Sequence, residues 1–190
     1  MPLRNKWVII IVLLFLLPGY YYYVTKGRAI DFTLENWDES IVRMQDLRGK
    51  TVILTFSYSN CTVRCPVVTV RLKSLDELME APDDVVYLHV SVDPEKDTPE
   101  SMKKYFGLYK LDIEADNRWL FVSGRKSELS KLWKYYGIEI EKIEEKMLPE
   151  GYYMEYNPML VLIDKRSFIK HQEDFFFEED NIIKKIREIT

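Results

Sequence analysis

The chain has 190 residues, 47% of them apolar, with seven glycines and eight prolines, enough to bury one sizeable core but not two. A net charge of -4 without a basic stripe excludes the electrostatic footprint of a nucleic-acid binder. No segment repeats at a fixed period and none is low in complexity, which excludes solenoids and disordered arrays.

Residues 1–6 form a short tail carrying Arg4 and Lys6, and an unbroken apolar run occupies 7–17. Pro18-Gly19 then leads into four tyrosines and Val24. Residues 7–24 make about 27 Å of helix at roughly 1.5 Å per residue, just enough to cross a hydrocarbon core. The tyrosines suit the headgroup zone, where a ring keeps its face in lipid and its hydroxyl in water. A cleaved signal peptide is the alternative, because the apolar core is short. Bulky tyrosines stand where a small-residue cleavage site belongs, so the reading is a retained anchor. Lys26 and Arg28 nearly balance the charge before the run, and orientation is read as N-terminus inside, with residues 25–190 outside.

From residue 30 the pattern is that of a compact α/β domain. Segments 30–34 and 41–44 read as short strands around a turn at 36–39, and 46–50 as a second turn. The β-branched and aromatic stretch 51–58 reads as a buried strand. Val67, Val70, Leu72, Leu75 and Leu78 recur at helical spacing up to about Met79. The near-continuous apolar run 85–92 is a strand of the kind that a sheet covered on both faces requires. Thr98-Pro99-Glu100 opens a helix with a capping hydroxyl, a proline in the first turn and an acid near the positive dipole end; Gly107 marks its stop. Strands follow at 119–122 and 159–163, with a helix at 127–136 closed by Gly137 between them. The alternating charges of 139–146 read as a solvated strand or hairpin edge, and Phe168-Ile169 as a short strand. Phe175, Phe176 and Phe177 read as packing for a last helix that carries Ile182, Ile183, Ile186 and Ile189, with a partner-facing patch as the alternative. The alternation predicts a central mixed sheet with helices on both faces.

The only two cysteines lie four apart in Cys61-Thr62-Val63-Arg64-Cys65-Pro66, where a buried strand hands over to a helix. On a helix, residues i and i+4 share a face at roughly 6 Å between Cα atoms, a distance that a disulfide can bridge. The helix N-terminus and Arg64 both favour thiolate over thiol. By position Cys61 is the more exposed, attacking sulfur and Cys65 the resolving one. A permanent disulfide in an exported domain is the alternative, though so short a loop constrains little unfolded-chain entropy.

Phe32-Thr33-Leu34, Leu47-Arg48-Gly49-Lys50, the CxxxCP element, and Ser91-Val92-Asp93-Pro94 through Asp97-Thr98-Pro99-Glu100 resemble the SCO/SenC proteins. Segments 119–124 and 162–164 continue the likeness in the same order, over nearly everything after residue 24. The resemblance implies a thioredoxin-like fold on a membrane anchor, facing the periplasm or the intermembrane space. It also implies a part in building the copper centre of cytochrome c oxidase, with the two cysteines and one distal histidine binding copper. The partner implied is the oxidase's copper-bearing subunit, a copper carrier or a thiol partner.

One departure bears on that function. The position of the family's histidine is occupied by Tyr156, a hard and weakly acidic donor that suits Cu(I) poorly. Val63 stands where the family often has an acid. His89 lies within an apolar strand and reads as a core residue, while His171 follows a short strand downstream of the expected loop. Met154 and Met159 flank Tyr156 and carry soft thioether sulfur, although methionine beside an apolar strand usually packs. Pro158 stands where thioredoxin-like oxidoreductases place a cis-proline facing the cysteines, which frees a backbone edge for a substrate peptide; a trans proline that starts a strand is the alternative. Catalytic roles are therefore expected of Cys61, Cys65 and Pro158, and copper ligation, weak or transient, of Cys61 and Cys65. Thiol–disulfide exchange is the leading function and copper delivery the alternative. The chain has no Ser/His/Asp arrangement, phosphate-cradling loop or zinc set.

Overall fold

A computed structural model of the chain describes residues 27–62, 64–80, 82–149, 151–175 and 177–190. The 7–24 segment expected to anchor the protein lies outside the described residues. Among the described residues no helix is long and apolar enough to cross a membrane.

The elements in chain order are β1 (Thr33–Asn36), β2 (Ile41–Arg43), a 3-10 turn (Met44–Leu47), β3 (Thr51–Ser57), α1 (Arg64–Leu78), β4 (Val85–Ser91), α2 (Pro99–Leu108), β5 (Trp119–Ser123), α3 (Lys126–Tyr136), β6 (Ile140–Glu144), β7 (Tyr152–Tyr156), β8 (Met159–Ile163), β9 (Ile169–Asp174) and α4 (Glu179–Ile189). Seven strands form one sheet in the order β2-β1-β5-β4-β3-β8-β9, and β6 and β7 make a separate hairpin. β3, β4 and β5 run parallel, whereas β8 and β9 join antiparallel on one side and β1 and β2 on the other. The sheet is therefore mixed, as expected. All seven residues of β3 and all seven of β4 are buried, the condition of strands covered on both faces. The core around them includes Ile53, Leu54, Phe56, Leu88, Val90 and, from β5, Phe121, and Tyr87 stacks on Trp119 at 4.2 Å between ring centroids.

Local chemistry accounts for most boundaries. Thr98 caps α2 by accepting the Ser101 amide, with Pro99 in the first turn. Gly107 does not stop α2, which runs on to Leu108. The Tyr109 amide still reaches the Gly107 and Phe106 carbonyls, and the positive φ falls on Lys110 at 54°. Gly137 does close α3, with φ 70°. The face of α1 differs from the expected one. Cys65, Val68, Thr69, Leu72, Leu75 and Asp76 are buried, while Val67, Val70 and Leu78 are each exposed by about half. A step of three residues turns about 300°, so the row through Val67 and Val70 drifts off the buried stripe. Phe175 and Phe177 are buried with Ile182, Ile183 and Ile186 of α4, the packing role expected of them.

Candidate functional site

The site lies at the carboxyl ends of β3 and β4, where ligands gather in open α/β sheets. The segment after β3 turns tightly, with the Cys61 amide donating to the Tyr58 carbonyl at 3.2 Å, and α1 then begins at Arg64. Both cysteines are present as thiols. Cys61 retains 8% of its surface and Cys65 none, so the more accessible sulfur is the one expected to attack. The Cys65 amide donates to Cys61 Sγ at 3.1 Å, so the first sulfur accepts a backbone N–H at the amino end of a helix. That environment favours a thiolate. Burial pushes the Cys65 thiol well above its ordinary pKa, and hydrogen bonding to Cys61 adds to the shift.

Tyrosines wall the pair. Tyr156 Oη lies 3.2 Å from Cys65 Sγ and donates to the Phe56 carbonyl at 3.0 Å. Tyr105 Oη donates to the Cys65 carbonyl at 3.0 Å and is joined to the Thr69 hydroxyl. Tyr58 meets Tyr156 edge to face, with ring centroids 6.3 Å apart. Burial drives the Tyr58, Tyr105 and Tyr156 hydroxyls above the ordinary tyrosine range, so all three stay protonated. Neither Tyr58 nor Tyr105 stands out in the sequence. Tyr105 reads only as one of the apolar residues of α2, and Tyr58 as the end of a strand.

The acidic loop after β4 acts on the cysteine loop. Asp97 Oδ1 accepts the Ser59 amide at 2.7 Å and Oδ2 accepts the Ser91 hydroxyl at 2.5 Å. Its burial pushes its carboxyl up to about 7. Asp93 accepts from Tyr152 Oη at 2.9 Å. The aspartates of the SVDPxxDTPE motif thus fix the two loops to each other and to β7.

Three expectations about neighbouring residues change. Arg64 does not face the sulfurs: its Nη1 donates to the Tyr156 carbonyl at 2.8 Å and pairs with Glu155 at 2.6 Å, because the side chain leaves the first turn of α1 toward β7. The Asn157–Pro158 bond is trans, so the cis-proline does not occur. Pro158 follows β7 after Asn157 and directly precedes β8. It lines a groove of about 860 Å³ with Val67, Val68, Ile140, Tyr156 and Phe175 that contains neither cysteine. Cys61 opens instead into a cleft of about 470 Å³ between α2 and the loop before β7, lined by Tyr58, Thr98, Lys104, Leu148 and Tyr153.

His89 is a core residue, as expected. It is fully buried among Tyr105, Phe106, Trp119 and Phe121, its Nδ1 lies 3.1 Å from the Ser57 hydroxyl, and burial lowers its pKa to about 3. His171 is held on β9 by Lys185 and Glu173. Met154 lines a different cleft beside Asp93 and Trp133, and Met159 pairs opposite Asp174. Among the described residues no group of three or more His, Cys, Asp or Glu side chains could hold a metal. The donor set that the fold assembles is two soft sulfurs and one protonated phenol. That set fits a two-coordinate Cu(I) and offers nothing further to copper.

A family model described as SCO1/SenC matches residues 25–190. The SCO1 protein homolog of Bacillus subtilis is 33% identical over 94 residues, which cover 49% of this chain and 47% of that protein. The mitochondrial Protein SCO1 homolog 1 of Arabidopsis thaliana is 26% identical over 163 residues, covering 83% and 46%. The chain thus spans about half the length of these two relatives. Bradyrhizobium japonicum ScoI, solved with copper bound, superposes with a TM-score of 0.72 at 22% identity, covering 86% of this chain and 99% of that one. BsSco, described as a member of the Sco family of cytochrome c oxidase assembly proteins with a disulfide switch, superposes at 0.70 and 24%, covering 86% and 93%. At such identities the structural likeness shows the fold, a mixed α/β thioredoxin-like one, and the match over 25–190 shows the descent: the chain belongs to the SCO1/SenC family.

Proposed function

We propose that this protein is a thiol–disulfide oxidoreductase that assists assembly of the copper centre of cytochrome c oxidase, by cycling Cys61 and Cys65 between dithiol and disulfide. The observation that carries the reading is the phenol of Tyr156 against Cys65 Sγ, which puts a hydroxyl where copper would need a soft donor. Two contacts support exchange directly. Cys61 Sγ accepts the Cys65 amide, and Cys65 is fully buried directly behind it. A Cys61 thiolate attacks a partner disulfide R–S–S–R′, the S–S bond breaks and R′S⁻ leaves. Cys65 then attacks the mixed disulfide, releases RS⁻ and closes the Cys61–Cys65 disulfide. Two electrons pass to the partner, and the Cys65 proton goes to the thiolate released first. Membership of a family that includes BsSco, an oxidase assembly protein with a disulfide switch, directs the reading to an oxidase subunit or a copper carrier as partner.

The test uses the reduced full-length chain in detergent with oxidised glutathione. Both thiols should be lost together, and Cys65→Ser should stall as a mixed disulfide on Cys61. Retention of both thiols, or a Cys65→Ser variant that collects no adduct, would overturn the reading. The second reading, copper delivery through Cys61 and Cys65, draws support from relatives of this fold solved with copper bound. A tight single equivalent of Cu(I) on the reduced chain would bring it forward.

The same proposal places the domain outside a membrane, in the periplasm or an equivalent space, on an anchor formed by residues 7–24. Expressed at full length, the protein should stay with the membrane fraction. A soluble mature form that begins after Val24 would count against the anchor.

A further inference from the structure

The Tyr156 hydroxyl has two neighbours and one proton. It donates to the Phe56 carbonyl at 3.0 Å and lies 3.2 Å from Cys65 Sγ. Phe56 stands one residue past the last β3–β8 pair, Thr55 opposite Leu160, so the hydroxyl takes a carbonyl beyond the end of that ladder. A hydroxyl that gives its proton to a carbonyl can only accept from a second neighbour. With its own proton on the Phe56 carbonyl, Tyr156 Oη is left as an acceptor for the Cys65 S–H, alongside Cys61. The titratable groups that face Cys65 are Cys61, Tyr58 just after β3, Tyr105 of α2 and Tyr156 of β7, with Tyr109 just past the end of α2; Arg64 is turned away to Glu155.

We propose that Tyr156 is a positioning residue for Cys65, whose hydroxyl accepts from the thiol at rest and turns to donate to the thiolate when Cys65 resolves a mixed disulfide. The proposal rests on the exchange reading above and assigns the residue that governs its second step. Rotation about one C–O bond exchanges the two arrangements, at the expense of the bond to Phe56. Tyr156 neither gains nor loses a proton. The Cys65 proton passes to the thiolate that left in the first step, and the hydroxyl supplies the donor that stabilises the attacking sulfur in a site without water-exposed surface. Cys65 has no exposed surface, so a donor to its sulfur has to come from within the protein.

The experiment follows the full-length chain in detergent with oxidised glutathione, acid-quenched, with the Cys61–glutathione adduct counted by mass. In Tyr156→Phe, decay of the adduct should slow about 10- to 100-fold more than its formation, as for loss of one charge-assisted hydrogen bond in a buried site. A loss of packing alone would slow both steps alike. Equal slowing of both steps overturns the role of Tyr156 and leaves the exchange reading intact. A wild-type chain that never forms the adduct overturns both. The S–H stretching band of Cys65 in the Cys61→Ser chain gives a test that does not depend on Tyr156→Phe folding. The band should lie below that of an unbonded thiol, and a band at the unbonded position refutes the proposed contact.

Discussion

The Asp97 carboxylate accepts the Ser59 amide at 2.7 Å and so ties the loop that precedes α2 to the loop that carries Cys61. Ser59 lies two residues before Cys61, and its own hydroxyl reaches Ser101 of α2 at 3.1 Å. The exposure of Cys61 and the direction of α1 are thus set partly from a different βα connection.

That carboxyl supplies the first prediction. Its folded pKa is raised to about 7 from an ordinary 3.8, mainly by burial, so the native state holds the proton more tightly than the unfolded chain. The sign follows: the contribution is fully present below about pH 4, falls as pH rises toward 7, and is flat beyond. Its full size is on the order of 4 kcal/mol, at 1.36 kcal/mol per pKa unit. Asp97→Asn keeps an acceptor for the Ser59 amide and should lose this slope, and the difference between the two proteins isolates it from Asp93, which is shifted the same way. Urea unfolding at several pH values measures it. Parallel profiles for wild type and variant would refute the assignment.

A second prediction concerns the order of reactivity. Cys65 is fully buried and its thiol is pushed up, whereas Cys61 borders an open cleft and accepts a helix-start amide. At pH 7 iodoacetamide should modify Cys61 at least about tenfold faster, one pKa unit's worth of thiolate. Peptide mapping of a partial reaction decides it, and equal slow labelling of both sites would restore the reading of the pair as a structural staple.

The ion pair between α1 and the segment before β5 gives a prediction about stability. Arg118 binds Asp76 through both terminal nitrogens, at 2.6 and 3.0 Å, and reaches Asp116 at 2.6 Å, while Tyr87 donates to Asp76 at 3.0 Å. The Arg118 and Asp76 side chains are 11% and 12% exposed. Arg118→Met leaves a buried carboxylate without its cation and should cost roughly 3–5 kcal/mol. Adding Asp76→Asn should recover part of that, since the stranded charge is then gone. A single variant within about 1 kcal/mol of wild type in denaturant unfolding contradicts this account.

The parts of the fold that follow from local rules were legible in the sequence. Thr98 with Pro99, Gly137, and the apolar runs of β3, β4 and β8 each carry their own structural reason within a few residues. β7 was not legible, because Tyr152–Tyr156 is a mixed polar and aromatic stretch whose pairing partner, β6, lies eight residues away outside the main sheet. The cysteine pair could be read from its motif. The tyrosine wall could not, since Tyr58 follows β3, Tyr105 lies on α2 and Tyr156 on β7, far apart in sequence. Pro158 and Arg64 failed for a related reason: local sequence gave each a chemical capacity, and the path of β7 decided where each points.

The last prediction concerns copper. Tyr156 faces Cys65 at 3.2 Å. As the chain stands, Cu(I) finds two thiolates and a phenol, and the phenol stays protonated because burial and the neighbouring sulfurs raise its pKa well above 10. Tyr156→His replaces that phenol with an imidazole nitrogen, a third donor that suits copper in both oxidation states. Binding should tighten by at least the roughly 10- to 100-fold that even a change around the ligands brings. Competition with a Cu(I) chelator, on reduced protein, reads the change. His89 does not compete, for it is fully buried and joined to Ser57, and His171 is held by Lys185 and Glu173. If wild-type protein binds one copper as tightly as Tyr156→His, the third ligand is another residue. Met154, Met159 and His171 are then tested in turn, and copper delivery takes precedence over exchange.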